Sequence, residues 1–152
     1  MTYADIVNKV KDIVYRHKML VDFGYGNLSD IRTRSQNENG KGEQHEADYP
    51  YVFLNPTNHQ RSGQEITYRF NMIVMDMALE DDGLYAQSQC QEYIDDILAE
   101  LRFGRPLNPF DLTLNVSLTP FKERFQDTVA GMTATLEIVV PLPLDQCIAP
   151  FE

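Results

Sequence analysis

The chain has 152 residues, which is enough for one domain with a packed core and too few for two ordinary domains. Hydrophobic residues make up 43% and aromatic residues 11% of the chain, a composition that excludes a disordered protein. The formal net charge of −10 argues against a protein that grips nucleic-acid phosphates, because such a protein needs a basic face.

The number of cysteines and the first residues of the chain indicate the cellular compartment. Cys90 and Cys147 are too few for a disulfide framework, and Cys90 is expected to be a buried free thiol on an apolar helical face. Residues Met1–Lys11 carry charge throughout, so no signal peptide is expected. No apolar run approaches the roughly 20 residues that span a bilayer. The sequence therefore predicts a cytosolic origin without membrane association.

The first third of the chain begins with a helix. Apolar residues recur at helical spacing over Tyr3–Lys18, and Thr2 with Asp5 resembles a capping box. Leu20–Ile31 is interrupted by glycines and is predicted to be a short strand or an extended turn. Residues 33–48 are polar and contain asparagine and glycine, which predicts a flexible surface loop.

The middle of the chain predicts two strands and a second helix. Tyr51–Leu54 is a short apolar strand, and Glu65–Met77 is a longer one that alternates before both of its faces become apolar near Ile73. A helix is predicted over Leu84–Phe103. Its apolar stripe consists of Ala86, Cys90, Tyr93, Ile94, Ile97, Leu98 and Leu101.

Alternating runs at Leu112–Thr119 and Thr133–Val140 predict two further strands. The predicted order is therefore α-β-β-β-α-β-β. We expect an α+β fold with a four- to five-stranded, mainly antiparallel sheet and both helices packed on one of its faces.

Candidate chemical groups have simpler explanations. His45-Glu46 lies in the polar loop without the fixed spacing that a helix gives to paired metal ligands. Asp81-Asp82 fits the start of a helix, and Asp95-Asp96 fits a wet helix face. His17 is expected to be a partly buried helix residue. The residues predict no catalytic, cofactor-binding or metal site, and hence a protein that is not an enzyme.

The segment between the last two strands, Thr119–Gly131, carries the candidate interface residues. Phe121 and Phe125 lie four residues apart, with Lys122, Glu123 and Arg124 between them. Two readings are open. The phenylalanines fold onto their own core, or the segment is an arm whose phenylalanines and charges contact an adjacent subunit.

The last residues, 141–152, predict an extended C-terminal tail. They contain three prolines and end in an apolar stretch that includes Ile148 and Phe151. Apolar residues are unusual on a free solvated tail, so these two residues are candidates for contact with a neighbouring subunit.

Several of these segments together resemble small structural proteins of the neck and tail of tailed bacteriophages. The order of elements is similar to that of tail terminator (tail completion) proteins, and the likeness covers about Met1–Pro150 as one domain, with residues 33–48 as an insertion. The segments that carry it are Tyr49-Pro50, Tyr68–Asp76, Pro120–Phe125, Asp127–Gly131 and Cys147–Pro150.

This resemblance implies a function in virus assembly. Such proteins form a ring, commonly a hexamer, that terminates the tail tube and joins it to the neck and head. The implied partners are further copies of the chain, the tail tube protein, neck connector proteins and, in a contractile tail, the sheath protein. The implied location is the virion, after synthesis in the host cytoplasm. DNA would pass through the lumen without specific binding, and no catalytic residues are implied.

Two alternatives stay open. One is another ring of the neck, a head–tail connector or stopper protein. The other, from a different class, is an enzyme or small-molecule-binding α+β domain with an unrecognised site. In a ring, acidic or neutral side chains are expected to line the lumen. Strand-end loops are stronger candidates for that lining than Glu92, Asp95, Asp96 and Glu100.

Overall fold

The computed structural model describes residues 2–28, 49–78, 83–103, 111–112, 116–124, 128–144, 147 and 150–151. Within them lie two helices, α1 (Tyr3–Arg16) and α2 (Leu84–Phe103). The strands are β1 (Asp22–Tyr25), β2 (Tyr51–Pro56), β3 (Gln60–Arg61), β4 (Glu65–Met77), β5 (Asp111–Leu112), β6 (Ser117–Arg124) and β7 (Thr128–Pro141). The predicted loop at 33–48 lies outside the described residues. In the part of the chain that is described, no helix is both long and apolar enough to cross a membrane.

Helix α1 begins where the sequence predicts and ends earlier. The Thr2 hydroxyl accepts the backbone N–H of Asp5, and the Asp5 carboxylate accepts the backbone N–H of Thr2, which confirms the capping box. The predicted end at Lys18 is wrong. His17 is extended and acts as the C-cap, with its N–H donating to the carbonyls of Ile13 and Val14.

Over the described residues the sheet is mixed and contains seven strands rather than the four or five predicted. Its order is β1-β2-β4-β7-β5, with β3 also pairing β4 and β6 also pairing β7. The first pair, β1 with β2, is parallel, and the other described pairs are antiparallel. The count rises because β2 and β3 follow one another along the same edge of β4, and β5 and β6 follow one another along the same edge of β7.

Both helices lie on the same face of the sheet, as predicted. The buried residues of α1 and those of α2 belong to one cluster with the inward-facing residues of β2, β4 and β7. Phe70 and Leu136 are fully buried at its centre. Burying one such side chain contributes about 1.5–3 kcal/mol, so this layer is the main source of stability.

A second, smaller cluster occupies the opposite face of the sheet. It contains Tyr51, Phe53, Ile73, Met75 and Val129, with Tyr49 and Phe121 packed against it. This explains why β4 becomes apolar on both faces near Ile73. Gly131 lies in register between Met75 and Phe121, and a β-carbon there would collide with the backbone of Val74. Only glycine permits this close approach of β7 to β4.

The segment between the last two predicted strands, Thr119–Gly131, is itself largely strand. β6 runs to Arg124 and β7 starts at Thr128, and the two pair along their length. Alternation alone misses this hairpin because Pro120 and three charged residues interrupt the pattern in β6. An edge strand tolerates both proline and charge, since one of its sides does not pair within the sheet.

The C-terminal tail continues the line of β7. The Leu142 N–H donates to the Gln64 carbonyl at 3.0 Å, and the Leu144 N–H donates to the Gly63 carbonyl at 3.3 Å. The tail is therefore tied to the turn between β3 and β4 as far as Leu144.

Candidate functional site

The β6–β7 hairpin holds most of the predicted interface residues. Phe121 is in register with Gly131, is half-buried against the second cluster, and accepts a hydrogen bond on its carbonyl from Gln87 Nε2 at 3.0 Å. The structure thus places Phe121 against its own chain, which leaves its predicted role between subunits a prediction. Lys122 is also half-buried and pairs with Ala130.

The other predicted interface residues are described less fully. For Glu123 and Arg124 the described part is the backbone, which pairs with Val129 and Thr128. Phe125 and Ile148 lie outside the described residues. Their predicted roles stay predictions.

Helix α2 starts directly against this hairpin. Gly83 has φ +69°, and a β-carbon on it would lie 2.8 Å from the Ala130 β-carbon, so glycine is needed for both backbone conformation and space. Two turns further on, Cys90 is a buried free cysteine, as predicted. Burial and the nearby Asp76 carboxylate raise the pKa of the Cys90 thiol to about 12. A thiol in this state is a poor nucleophile, so Cys90 acts as a packing residue.

The C-terminal tail exposes apolar side chains. Leu144 is 70% exposed and Phe151 is 85% exposed. Cys147 is also exposed. Phe151, one of the two tail residues predicted to contact a neighbouring subunit, is therefore accessible to such a subunit.

Ion pairs join the acidic face of α2 to the end of α1. Arg16 contacts Asp12 at 2.9 Å and Glu100 at 3.2 Å. His17 Nε2 lies 2.8 Å from Asp96 Oδ2. A pocket of about 230 Å³ is lined by Ile13, Arg16, His17, Asp96 and Glu100. Its chemistry is that of salt bridges between helices, and the described residues contain no group of three or more histidine, cysteine, aspartate or glutamate side chains placed to hold a metal ion.

An aromatic cluster at the start of α1 is a feature that the sequence reasoning missed. The Tyr3 ring stacks on Phe70 at a centroid distance of 5.9 Å and lies 5.3 Å from Tyr68. The His59 ring lies 4.9 Å from Tyr3, and the Tyr3 hydroxyl contacts the Tyr25 hydroxyl at 2.5 Å. No local pattern reports this cluster, because its members come from a helix, two strands and a turn.

Electrostatics in the cluster favour neutral groups. Burial, followed by the charge of Arg69, lowers the pKa of His59. Its Nδ1 accepts the Arg69 backbone N–H at 3.3 Å, an acceptor role that requires this nitrogen to be unprotonated. Burial and the hydrogen bond with Tyr25 raise the pKa of Tyr3. Next to the cluster lies a groove of about 170 Å³ lined by Tyr3, Ala4, Val7, Asn8 and Tyr25.

Comparison with known proteins adds no relative. The chain matches no model of a known protein family, and no curated protein sequence matches it.

Proposed function

We propose that this chain is a structural protein of a bacteriophage virion, a tail-terminator-like subunit that forms a ring of six copies between the tail tube and the neck. Its action is assembly rather than catalysis. Its partners are further copies of itself, the tail tube protein, the neck connector proteins and, in a contractile tail, the sheath protein. DNA passes through the lumen of the ring without specific binding.

The observation that carries the proposal is the exposed apolar tail. Beyond Leu144 the tail carries eight residues, and Phe151 near its end is 85% exposed. Several exposed apolar side chains on one segment, here Leu142, Leu144 and Phe151, indicate a surface that another molecule covers. A ring of identical subunits supplies such a surface at every contact, because head-to-tail contacts repeat until the ring closes.

The charge of the chain supports the same function. The net charge is −10, and Glu92 and Asp95 are exposed on α2. A channel that passes DNA must not bind phosphates tightly; acidic walls repel phosphates and neutral walls do not attract them. We therefore assign such side chains to the lumen, with strand-end loops as stronger candidates than the acidic face of α2.

The small-molecule alternative receives less support from the described pockets. The pockets of about 230 and 170 Å³ are smaller than the roughly 300–1,000 Å³ of typical ligand sites. The first pocket is lined mainly by charges that pair with one another. The alternative position in another ring of the neck shares the assembly function and differs only in the neighbours of the ring.

Two measurements test the proposal. Native mass spectrometry of the purified chain should find a closed ring near six times the 17.5 kDa subunit mass. Electron microscopy of the particle that carries the chain should place that ring at the end of the tail tube. A ring against the portal would favour the connector or stopper alternative. A strictly monomeric subunit inside the assembled particle would contradict the ring altogether.

A further inference from the structure

We propose that the groove lined by Tyr3, Ala4, Val7, Asn8 and Tyr25, named here the Tyr3–Tyr25 groove, binds the proline-rich C-terminal tail of a second copy of this chain. The inference rests on the proposed ring function and deepens it by naming the two surfaces of one subunit contact.

The groove is rigid and partly apolar. Tyr3 is held by stacking on Phe70 and by its hydroxyl contact with Tyr25, while Tyr25 itself is 42% exposed. Grooves with fixed tyrosine rings bind extended proline-rich segments, because proline rings pack on aromatic faces. Since the rings are already positioned, little side-chain entropy is lost on binding.

Asn8 adds a polar group to this wall. A polyproline segment has no internal hydrogen bonds, so its carbonyls are available to an amide donor. The Asn8 side chain supplies both a donor and an acceptor at the edge of the groove. The groove thus combines aromatic packing with one amide, which suits a peptide backbone.

The tail has the matching chemistry. Its sequence starts Pro141-Leu142-Pro143-Leu144 and ends Pro150-Phe151-Glu152. Each proline fixes φ near −65° and keeps the preceding residue extended, so the residues around Pro143 and Pro150 favour a polyproline conformation. The exposed side chains of Leu144 and Phe151 provide apolar surface for the groove to cover.

The structure indicates that the tail in the groove belongs to a second copy of the chain rather than to the same chain. The tail is tied to Gly63 and Gln64 in line with β7, whereas β1 lies beyond β4 and β2 in the sheet. Phe151 is 85% exposed, so the groove of its own subunit does not cover it.

A complementation experiment tests this contact. Tyr25→Ala removes the ring from the groove, and the double variant Leu144→Ser with Phe151→Ser removes the apolar side chains from the tail. Each variant alone should raise the Kd of self-association by about tenfold or more, which is about 1.4 kcal/mol. An equimolar mixture should form dimers and nothing larger, because it contains one intact groove and one intact tail per pair. Sedimentation equilibrium measures all three samples.

Matched controls separate docking from folding. Tyr25→Phe keeps the ring and should associate as the wild-type chain does. Tyr15→Ala removes another exposed tyrosine, on α1 outside the groove, and should have no effect. Circular dichroism establishes that Tyr25→Ala folds. If it does not, the tail variant still decides the question, since its side chains are exposed and the fold does not depend on them.

The inference is wrong if the variants associate as tightly as the wild-type chain, or if the mixture fails to form dimers. It is also wrong if the wild-type chain is monomeric and its Tyr25 resonances in an NMR spectrum differ from those of the tail variant. The last outcome would show that the tail docks on its own subunit. If particles carry the ring and the variants still self-associate as tightly as the wild-type chain, this contact alone is rejected and the proposed function stands. Dimers in the mixture without any ring on particles would reject the proposed function and retain the contact.

Discussion

His17 and Asp96 join the two helices of this protein through one hydrogen bond. The Nδ1 atom of His17 accepts the Met19 backbone N–H at 3.1 Å, so Nε2 carries the ring proton and donates it to Asp96 Oδ2 at 2.8 Å. The same imidazole thus fixes the chain just after α1 and ties it to the middle of α2. Because α1 and α2 share one face of the sheet, this bond helps to set their relative position.

Removing this bond should have a small, measurable cost. Asp96→Ala removes the acceptor, whereas an asparagine would keep an oxygen that accepts the Nε2–H. Since Asp96 is mostly exposed, we expect the free energy of unfolding to fall by about 0.5–1 kcal/mol. Asp95→Ala is the matched control, because Asp95 is the exposed neighbour and has no hydrogen bond among the described contacts. Urea unfolding of Asp96→Ala, His17→Ala and the double variant gives the coupling energy. Equal effects of Asp96→Ala and Asp95→Ala would argue against the bond.

Gly131 should be the glycine of the sheet that least tolerates a side chain. A β-carbon there meets the Val74 backbone, so Gly131→Ala must push β7 away from β4. Overpacking of this kind costs about 1–3 kcal/mol, and a backbone obstacle places the loss at the upper end of that range. The thermal midpoint should fall accordingly. Gly63→Ala is the control, since nothing lies within 4 Å of a β-carbon at Gly63. An unchanged midpoint for Gly131→Ala would mean that the sheet relaxes at this point.

Regular elements with one buried face could be predicted from the sequence. α2 and β4 have the predicted bounds, because their apolar residues follow the helical or strand period over long segments. The part of β6 after Thr119 and the first part of β7 could not be predicted. Pro120 and the charged residues after it break the alternation, and pairing with β4 and with β6 maintains β7 through Gly131.

The same distinction between local and long-range features applies to the two candidate surfaces, the apolar tail and the Tyr3–Tyr25 groove. The apolar tail could be predicted because its proline and apolar content is local. The groove could not, because Tyr3 and Tyr25 come together only when α1 packs beside β1, and His59 joins them from the turn before β3. Contacts between residues far apart in sequence follow from packing rather than from a motif.

His59 should make stability depend on pH. Its folded-state pKa is lowered from the ordinary value of 6.5, so the unfolded chain binds the proton more readily. The stabilisation is therefore complete above pH 6.5 and is lost as the pH falls below that value towards the folded-state pKa. Thermal midpoints measured from neutral to mildly acidic pH should fall for the wild-type chain. His59→Asn should show a shallower slope, whatever its absolute midpoint. Parallel slopes for the two proteins would assign the pH dependence to other groups.

Phe121 provides the most direct test of the interface hypothesis for the hairpin. It is half-buried against Tyr51, Phe53 and Met75, so Phe121→Ala should lower the thermal midpoint, with a loss smaller than the roughly 3–5 kcal/mol of a fully buried phenylalanine. Phe151→Ala should leave the midpoint unchanged because that ring is 85% exposed.

The double variant Phe121→Ala with Phe125→Ala then separates the two readings of this segment. If the phenylalanines pack between subunits, the double variant stays folded by circular dichroism and fails to form rings or to join tails, since truncating a buried anchor aromatic costs about 2–4 kcal/mol of association. Phe121→Ala alone shows how much of the stability loss belongs to the intrachain cluster. A double variant that unfolds, or one that assembles normally, would assign both rings to the subunit itself and leave the tail as the remaining assembly contact.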